Sequence, residues 1–170
     1  MNPIELGQGT FPLSEAATDR FAIMVNIGYL PPDEEEKLVT FDFKKVQLNG
    51  LMSKDRVLEL RARIGQQVFL HDALGKYIRR LVSATRPYSP ENDWLQRSPS
   101  HLVEQYVELG GSPRATICWG RLVKVWALLS GKRDEVYPED VQELAPYILG
   151  HRIWLAPHAT GRDIRVNTII

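Results

Sequence analysis

The chain has 170 residues, 44% of them hydrophobic and 25% charged, which suits one soluble packed domain, or one domain plus part of another. Lys plus Arg equals Asp plus Glu at 21 each, so no overall field favours nucleic acid or an anionic membrane surface. Cys118 is the sole cysteine, which excludes an internal disulfide and a cysteine metal cluster; the N-terminal MNPIELGQGTFPL lacks the regions of a signal peptide, and no apolar run nears the roughly 20 residues of a membrane helix.

The first 31 residues read differently from the rest. GQGTFPL (7–13) is loop-like, and SEAATDR (14–20) predicts a short helix capped by Ser14. FAIMVNIGY (21–29) is an apolar run bounded by turn residues, the pattern of a buried strand in a parallel sheet. It is the one strong strand signal present, and a lone strand of this kind needs a sheet that the sequence does not supply. The chain is therefore expected to be incomplete at its N-terminus, with residues 21–28 poorly packed or paired with another chain.

Helices dominate from Pro32. Pro32-Asp33-Glu34-Glu35 is a helix start with acids on the favourable end of the dipole. Ser53 opens a second segment expected to stop at Gly65, and VFL (68–70) reads as a short extended piece. Asp72 is expected to cap a third helix with Leu74, Tyr77, Ile78, Leu81 and Val82 as its apolar stripe, ended by Pro87. Residues 87–100 read as a loop, and HLVEQYVEL (101–109) suits either helix or strand. Ser112 begins the clearest helix, with Ala115, Cys118, Leu122, Val125, Trp126 and Leu129 at helical spacing and a stop at Gly131. Pro138 opens another, with Val141, Leu144, Ala145, Ile148 and Leu149 as its core face and Pro146 expected to kink or split it. The tail after Pro157 reads as weakly extended.

Few residues carry chemistry on their own pattern. Arg114 follows Ser112-Pro113 at a helix start, where the positive amide end repels a cation by roughly 0.3–1 kcal/mol. Two readings stand: the guanidinium waits for a phosphate beside free amides, or it pairs with a nearby acid. Arg20 could be presented to a neighbouring subunit's phosphoryl group, or form a surface pair with Asp19. Asn2, held extended by Pro3, could orient a water or a phosphate oxygen, or do nothing. His71, His101, His151 and His158 show no metal-ligand pairing; His71 neighbours the expected cap Asp72, and His151-Arg152 suits the capping of carbonyls after a helix stop. Trp119, Trp126 and Trp154 read as core, and Trp94 as a loop residue. No GxxxxGK[ST] phosphate loop occurs, and no apolar strand ends in Asp-Glu to hold magnesium. The 170 residues alone are expected to hydrolyse no nucleotide triphosphate.

Taken in order, these blocks resemble the MoxR-type AAA+ ATPases. NPIELGQGTFPLSEAATDRF (2–21) resembles the family's block that ends in DRF, and IGYLPPDEEE (27–36) the strand end and turn that follow it. VFLHDALGKYIRRLVSATR (68–86) fits a lid helix, and residues 109–155 resemble the lid with its SPRA, PEDV and HRI. The stretch VTFDFKKVQLNG matches no motif. The resemblance implies a mainly α chain: a helical AAA+ lid (32–157) preceded by the last strand segment of an α/β core (1–31) and followed by a tail (158–170).

It further implies Asn2 as the sensor-1 residue that orients the attacking water, and Arg20 as the arginine finger offered to the next subunit. Arg114 would be the sensor-2 arginine that reaches the phosphates from the lid. ATP and Mg would bind the longer protein, with no tight binding to these residues alone, and no metal site is expected among them. Hexameric rings, a protein client and von Willebrand A domain partners are implied, together with lid rotation about residues 30–33. A cytoplasmic location is expected, with neither nucleic acid nor membrane as partner. The alternative is a stand-alone helical interaction module that lacks nucleotide binding; the reading frame upstream of Met1 separates the two.

Overall fold

A computed structural model describes residues 13–47, 49–87, 100–131 and 133–170. Short local signals build its first part. Ser14 caps helix α1 (Glu15–Thr18), its Oγ accepting from the Ala17 amide at 3.3 Å. Residues 21–31 then carry no regular secondary structure, and all of them are exposed. The buried strand expected over 21–29 is thus not formed: the described residues give it no neighbouring strand, and an unpaired strand has no ladder to hold it.

Helix α2 (Pro32–Val39) starts with Pro32 in its first turn followed by Asp33, Glu34 and Glu35, as its sequence dictates. A 3-10 turn (Phe43–Lys45) separates it from α3 (Lys54–Gln67), which Ser53 caps through the Arg56 amide. The stop expected at Gly65 is absent. One interior glycine costs only about 1 kcal/mol against alanine, and the Gly65 carbonyl gains an acceptor role from Lys124 Nζ at 3.0 Å.

The core begins at Val68. Phe69 makes a parallel bridge with Glu135, its amide on the Asp134 carbonyl at 2.7 Å and its own carbonyl receiving the Val136 amide at 3.0 Å. Helix α4 (Asp72–Ala84) follows, but its cap is His71 rather than Asp72: His71 Nδ1 accepts from the Ala73 amide at 3.1 Å, which leaves Asp72 as the first helical residue. The ambiguous 101–109 segment is both things in turn, a helix α5 (His101–Tyr106) running directly into strand β1 (Val107–Leu109). That strand pairs antiparallel with β2 (Trp154–Leu155), Val107 opposite Leu155 and Leu109 opposite Trp154, with a bulge between.

Two long helices close the unit, α6 (Pro113–Gly131) and α7 (Pro138–Leu149). They pack on each other and on α4, with α3 against the outer side of α6. The deep stripe of α6 is Ala115, Trp119, Val123 and Ala127; of the expected stripe Ala115 is buried and Leu122 and Trp126 pack on the core, whereas Cys118 and Val125 are not among the buried residues and Leu129 is 71% exposed. Because α6 is apolar on most sides and meets three helices, periodicity alone does not select its deepest face.

Helix α7 runs unbroken through Pro146. An interior proline, which loses a hydrogen bond and crowds the preceding turn, costs about 3 kcal/mol, whereas Val141, Leu144, Ile148 and Leu149 are all buried, each contributing about 1.5–3 kcal/mol. Packing outweighs the proline. The tail is not extended either: α8 (Pro157–Thr160) and α9 (Val166–Ile169) are single helical turns, Ala159 is buried, and Val166 and Ile169 pack on the core. Trp119 is fully buried as expected. Trp126 is partly buried, its Nε1–H donating to Glu143 Oε2 at 2.7 Å. Trp94 lies outside the described residues. Among the described residues no helix is long and apolar enough to cross a membrane.

Candidate functional site

The start of α6 is set by close backbone approach. A Cβ on Gly110 would stand 2.3 Å from the Thr85 carbonyl oxygen and 2.8 Å from the Arg86 Cα, so only glycine fits there. Next to it, the Gly111 amide donates to Thr85 Oγ1 at 2.9 Å, and Arg86 Nε–H donates to the Gly111 carbonyl at 2.7 Å. The end of α4 thereby fixes the loop that delivers Ser112. Ser112 stands at the N-cap position of α6; its Oγ accepts from the Arg114 amide at 3.1 Å and donates to Asp19 Oδ2 at 2.8 Å.

Asp19 is the hub. Besides Ser112, its Oδ2 faces Arg114 Nη1 at 3.4 Å, and its Oδ1 accepts from Arg152 Nε at 3.1 Å. The two arginines differ in burial, with side chains 53% exposed for Arg114 and 1% for Arg152. Arg152 also donates to the carbonyls of Asp19, Phe21, Ala22 and Ile148. His151 adds a bond from Nε2 to the Phe21 carbonyl at 3.1 Å, and the Met24 amide donates to the Tyr147 carbonyl at 2.9 Å. Residues 19–24 are thus clasped to the end of α7 and the start of α6. A cavity of about 480 Å³ opens beside the clasp, lined among others by Glu15, Asp19, Arg86, Glu108, Ser112 and Arg152.

The Arg114–Asp19 contact is weakly held. A half-exposed ion pair is worth about 0.2–1 kcal/mol, and the repulsion of a cation from the amide end of a helix costs about as much. The near balance leaves the guanidinium exchangeable. His151 differs: burial pushes its pKa below the ordinary 6.5, the Phe21 carbonyl opposes that shift, and the Arg152 charge reinforces it. With Nε2–H donating to Phe21, the buried Nδ1 has no hydrogen-bond partner, which suits a neutral ring.

The three residues singled out by sequence fare differently. Arg114 takes the ion-pair arrangement, on Asp19. Arg20 does not pair with Asp19, whose carboxylate is taken by Ser112, Arg114 and Arg152; its side chain is exposed and makes no hydrogen bond or ion pair among the described residues. Asn2 lies outside the described residues. Sequence reasoning missed Asp19 as the hub and Arg152 as its buried partner. The available signal is an arginine directly after a helix stop, a pattern that suits the capping of carbonyls. It does cap the Ile148 carbonyl, but its carboxylate partner lies 133 residues away. Among the described residues no group of three or more His, Cys, Asp or Glu could hold a metal ion.

The model of the AAA lid domain family matches residues 100–170. Chaperone MoxR1 of Mycobacterium tuberculosis is 35% identical over 170 residues, covering 99% of this chain and 42% of that protein. Protein MoxR of Methylorubrum extorquens is 26% identical over 157 residues, covering 87% of this chain and 44% of its own length. A crystal structure of a candidate ATPase from Cytophaga hutchinsonii superposes with a TM-score of 0.80 at 36% identity, over 99% of this chain and 49% of that one. The chain spans about half the length of the curated relatives it matches. With its helical lid, its SPRA and DRF segments and these likenesses, the chain resembles part of the MoxR-type AAA+ ATPases along nearly its whole length.

Proposed function

We propose that the chain supplies the lid and the phosphate-sensing arginines of a MoxR-type ATPase, which couples ATP hydrolysis to chaperone-like remodelling of a protein client. In this reading residues 1–31 complete an α/β core, 32–157 form the lid and 158–170 its tail. Arg114 reads the phosphates from the lid, Arg20 reaches a neighbouring subunit's nucleotide in a ring, and Asn2 orients the attacking water. The observation that carries it is the Asp19 hub: one carboxylate, next to Arg20 in sequence, holds the exchangeable Arg114 at the amide end of α6.

The residues fit one phosphate group. A half-exposed guanidinium fork beside helix amides favours an anion, and Asp19 holds the fork only loosely. ATP with Mg would supply the phosphoryl group, in a polypeptide that also carries a phosphate loop. What this chain's residues do is bind and orient: Arg114 leaves Asp19 for phosphate oxygens, and Arg20 stands ready for charge that develops on transfer. Ring assembly, a client and von Willebrand A domain partners belong to the same proposal.

The test is kinetic. The 170-residue chain hydrolyses no ATP above background. In a polypeptide that joins it to a phosphate loop, Arg20→Ala abolishes turnover while nucleotide binding persists. Arg114→Lys lowers turnover as well, since lysine cannot fork two oxygens. Intact turnover in Arg20→Ala removes the finger assignment.

A further inference from the structure

We propose that Arg152 is a positioning residue that makes Asp19 a shared carboxylate, so that an anion drawing Arg114 away is transmitted to the backbone of residues 19–24 and hence to Arg20. The proposal rests on the phosphate reading of Arg114 given above. The first observation is how fully Arg152 is used. Its side chain is 1% exposed, and its donors reach Asp19 Oδ1 at 3.1 Å, the Asp19 carbonyl at 3.2 Å, the Ala22 carbonyl at 3.3 Å, and the carbonyls of Phe21 and Ile148. A guanidinium has five N–H groups, and five acceptors are present. Four of these acceptors bracket Arg20 in sequence, and the fifth belongs to α7.

The second observation is the division of the carboxylate. Arg152 holds Oδ1, whereas Ser112 and Arg114 share Oδ2. A buried guanidinium cannot be left unpaired without a large desolvation penalty, so Arg152 keeps Asp19. The half-exposed Arg114, at 3.4 Å, has water as an alternative and lets go. Once it does, Oδ2 retains only the Ser112 hydroxyl, and the Asp19 charge is balanced by Arg152 alone. The carboxylate then settles toward the Arg152 fork. Because that fork also grips three carbonyls between Asp19 and Ala22, the peptide moves with it. His151 on the Phe21 carbonyl and Tyr147 on the Met24 amide extend the connection along α7. Arg152 touches no phosphate itself, since its donors are already engaged.

The experiment uses the 170-residue chain with sodium tripolyphosphate as the probe, at low ionic strength, followed by ¹⁵N NMR of arginine side chains and backbone amides. In the unaltered chain, tripolyphosphate shifts the Arg114 Nε–H signal, and the Arg20, Phe21 and Met24 amides shift with the same half-saturation. In Arg152→Lys, which keeps the charge but loses the fork, Arg114 still responds while those amides stay still. Exchange of the Met24 amide also quickens about tenfold without probe, while Val123 and Ile148 hold. Asp19→Asn serves as a second variant should Arg152→Lys not fold: with the competing charge gone, Arg114 binds the probe about threefold to fivefold more tightly and the amide response is lost. An Arg114 response with no amide response in the unaltered chain overturns the coupling and leaves the phosphate reading standing. No Arg114 response in the folded chain overturns both. An Arg152→Lys chain that behaves like the unaltered one removes the role from Arg152.

Discussion

Residues 13–67 and residues 68–170 use the same kinds of helix signal with opposite outcomes. In the first region Ser14 and Ser53 cap helices, Glu34 pairs with Lys37 at 2.6 Å and Arg56 with Glu59 at 2.7 Å, yet no described residue is buried. Among the described residues every buried one falls between Val68 and Ala159. Caps and (i, i+3) pairs supply from a few tenths to about 1 kcal/mol each, enough to shape a helix but not to make a core. A core needs a facing surface, which α6 finds in α4 and α7. Phe21, Ile27, Tyr29 and Leu51 have found none and stay exposed.

The sharpest way to break the comparison is to truncate one large side chain in each region. Trp119→Ala empties the centre of the α6 stripe, where the side chain is fully buried, and is expected to cost about 3–5 kcal/mol in urea denaturation. Leu51→Ala removes a side chain that is 97% exposed and should fall within about 0.5 kcal/mol of the unaltered chain. Comparable losses would mean that the first region is packed after all.

Glycines sharpen the same contrast at smaller scale. Gly110→Ala forces a methyl against the Thr85 carbonyl at 2.3 Å, a backbone atom that cannot swing aside. We expect a loss of about 1–3 kcal/mol, with the loop before Ser112 displaced. At Gly28 an added Cβ meets nothing within 4 Å, so Gly28→Ala should be neutral or slightly stabilising through the unfolded chain. Thermal melts of the two variants decide it; a tolerated Gly110→Ala would show that α4 does not fix the start of α6.

The contrast also explains what was legible in the sequence. Most helix starts are readable from one residue: Ser14, Ser53, Pro32 and Pro138 all open the helices expected of them, whereas α4 is capped by His71 and not by Asp72. Features set by packing were not readable, among them the deep face of α6, the continuity of α7 through Pro146 and the helical turns of the tail. For the site, the position of Arg114 was legible because a cation at a helix start breaks a local rule. Its partner was not: Asp19 lies 95 residues away, and Arg152 reaches the same carboxylate across 133. Their meeting is a product of tertiary structure, and no spacing in the chain announces it.

The smallest expected effect sits on the seam between the two regions, at His151. Its Nε2 bonds the Phe21 carbonyl and the ring is buried beside the Arg152 guanidinium, so protonation would place a second positive charge there. Burial lowers its pKa below the ordinary 6.5, and the Phe21 carbonyl, the carboxylate of Asp19 and the Tyr147 backbone only partly oppose this. The folded chain therefore binds fewer protons at this group than the unfolded one. Stability from this source is full above the ordinary 6.5 and is lost as pH falls below it. The His151→Gln chain keeps a donor for Phe21 but does not titrate there. Between pH 7 and pH 5 the urea midpoint should fall for both chains, and by less for His151→Gln, with a difference of about 1 kcal/mol or less. Because the group lies at the seam, the protection of the Met24 amide relative to its intrinsic exchange rate should fall on acidification before that of Val123 does, and only in the unaltered chain. Equal pH slopes for the two chains would show that His151 titrates as freely folded as unfolded, and that the clasp on residues 19–24 does not depend on its neutral ring.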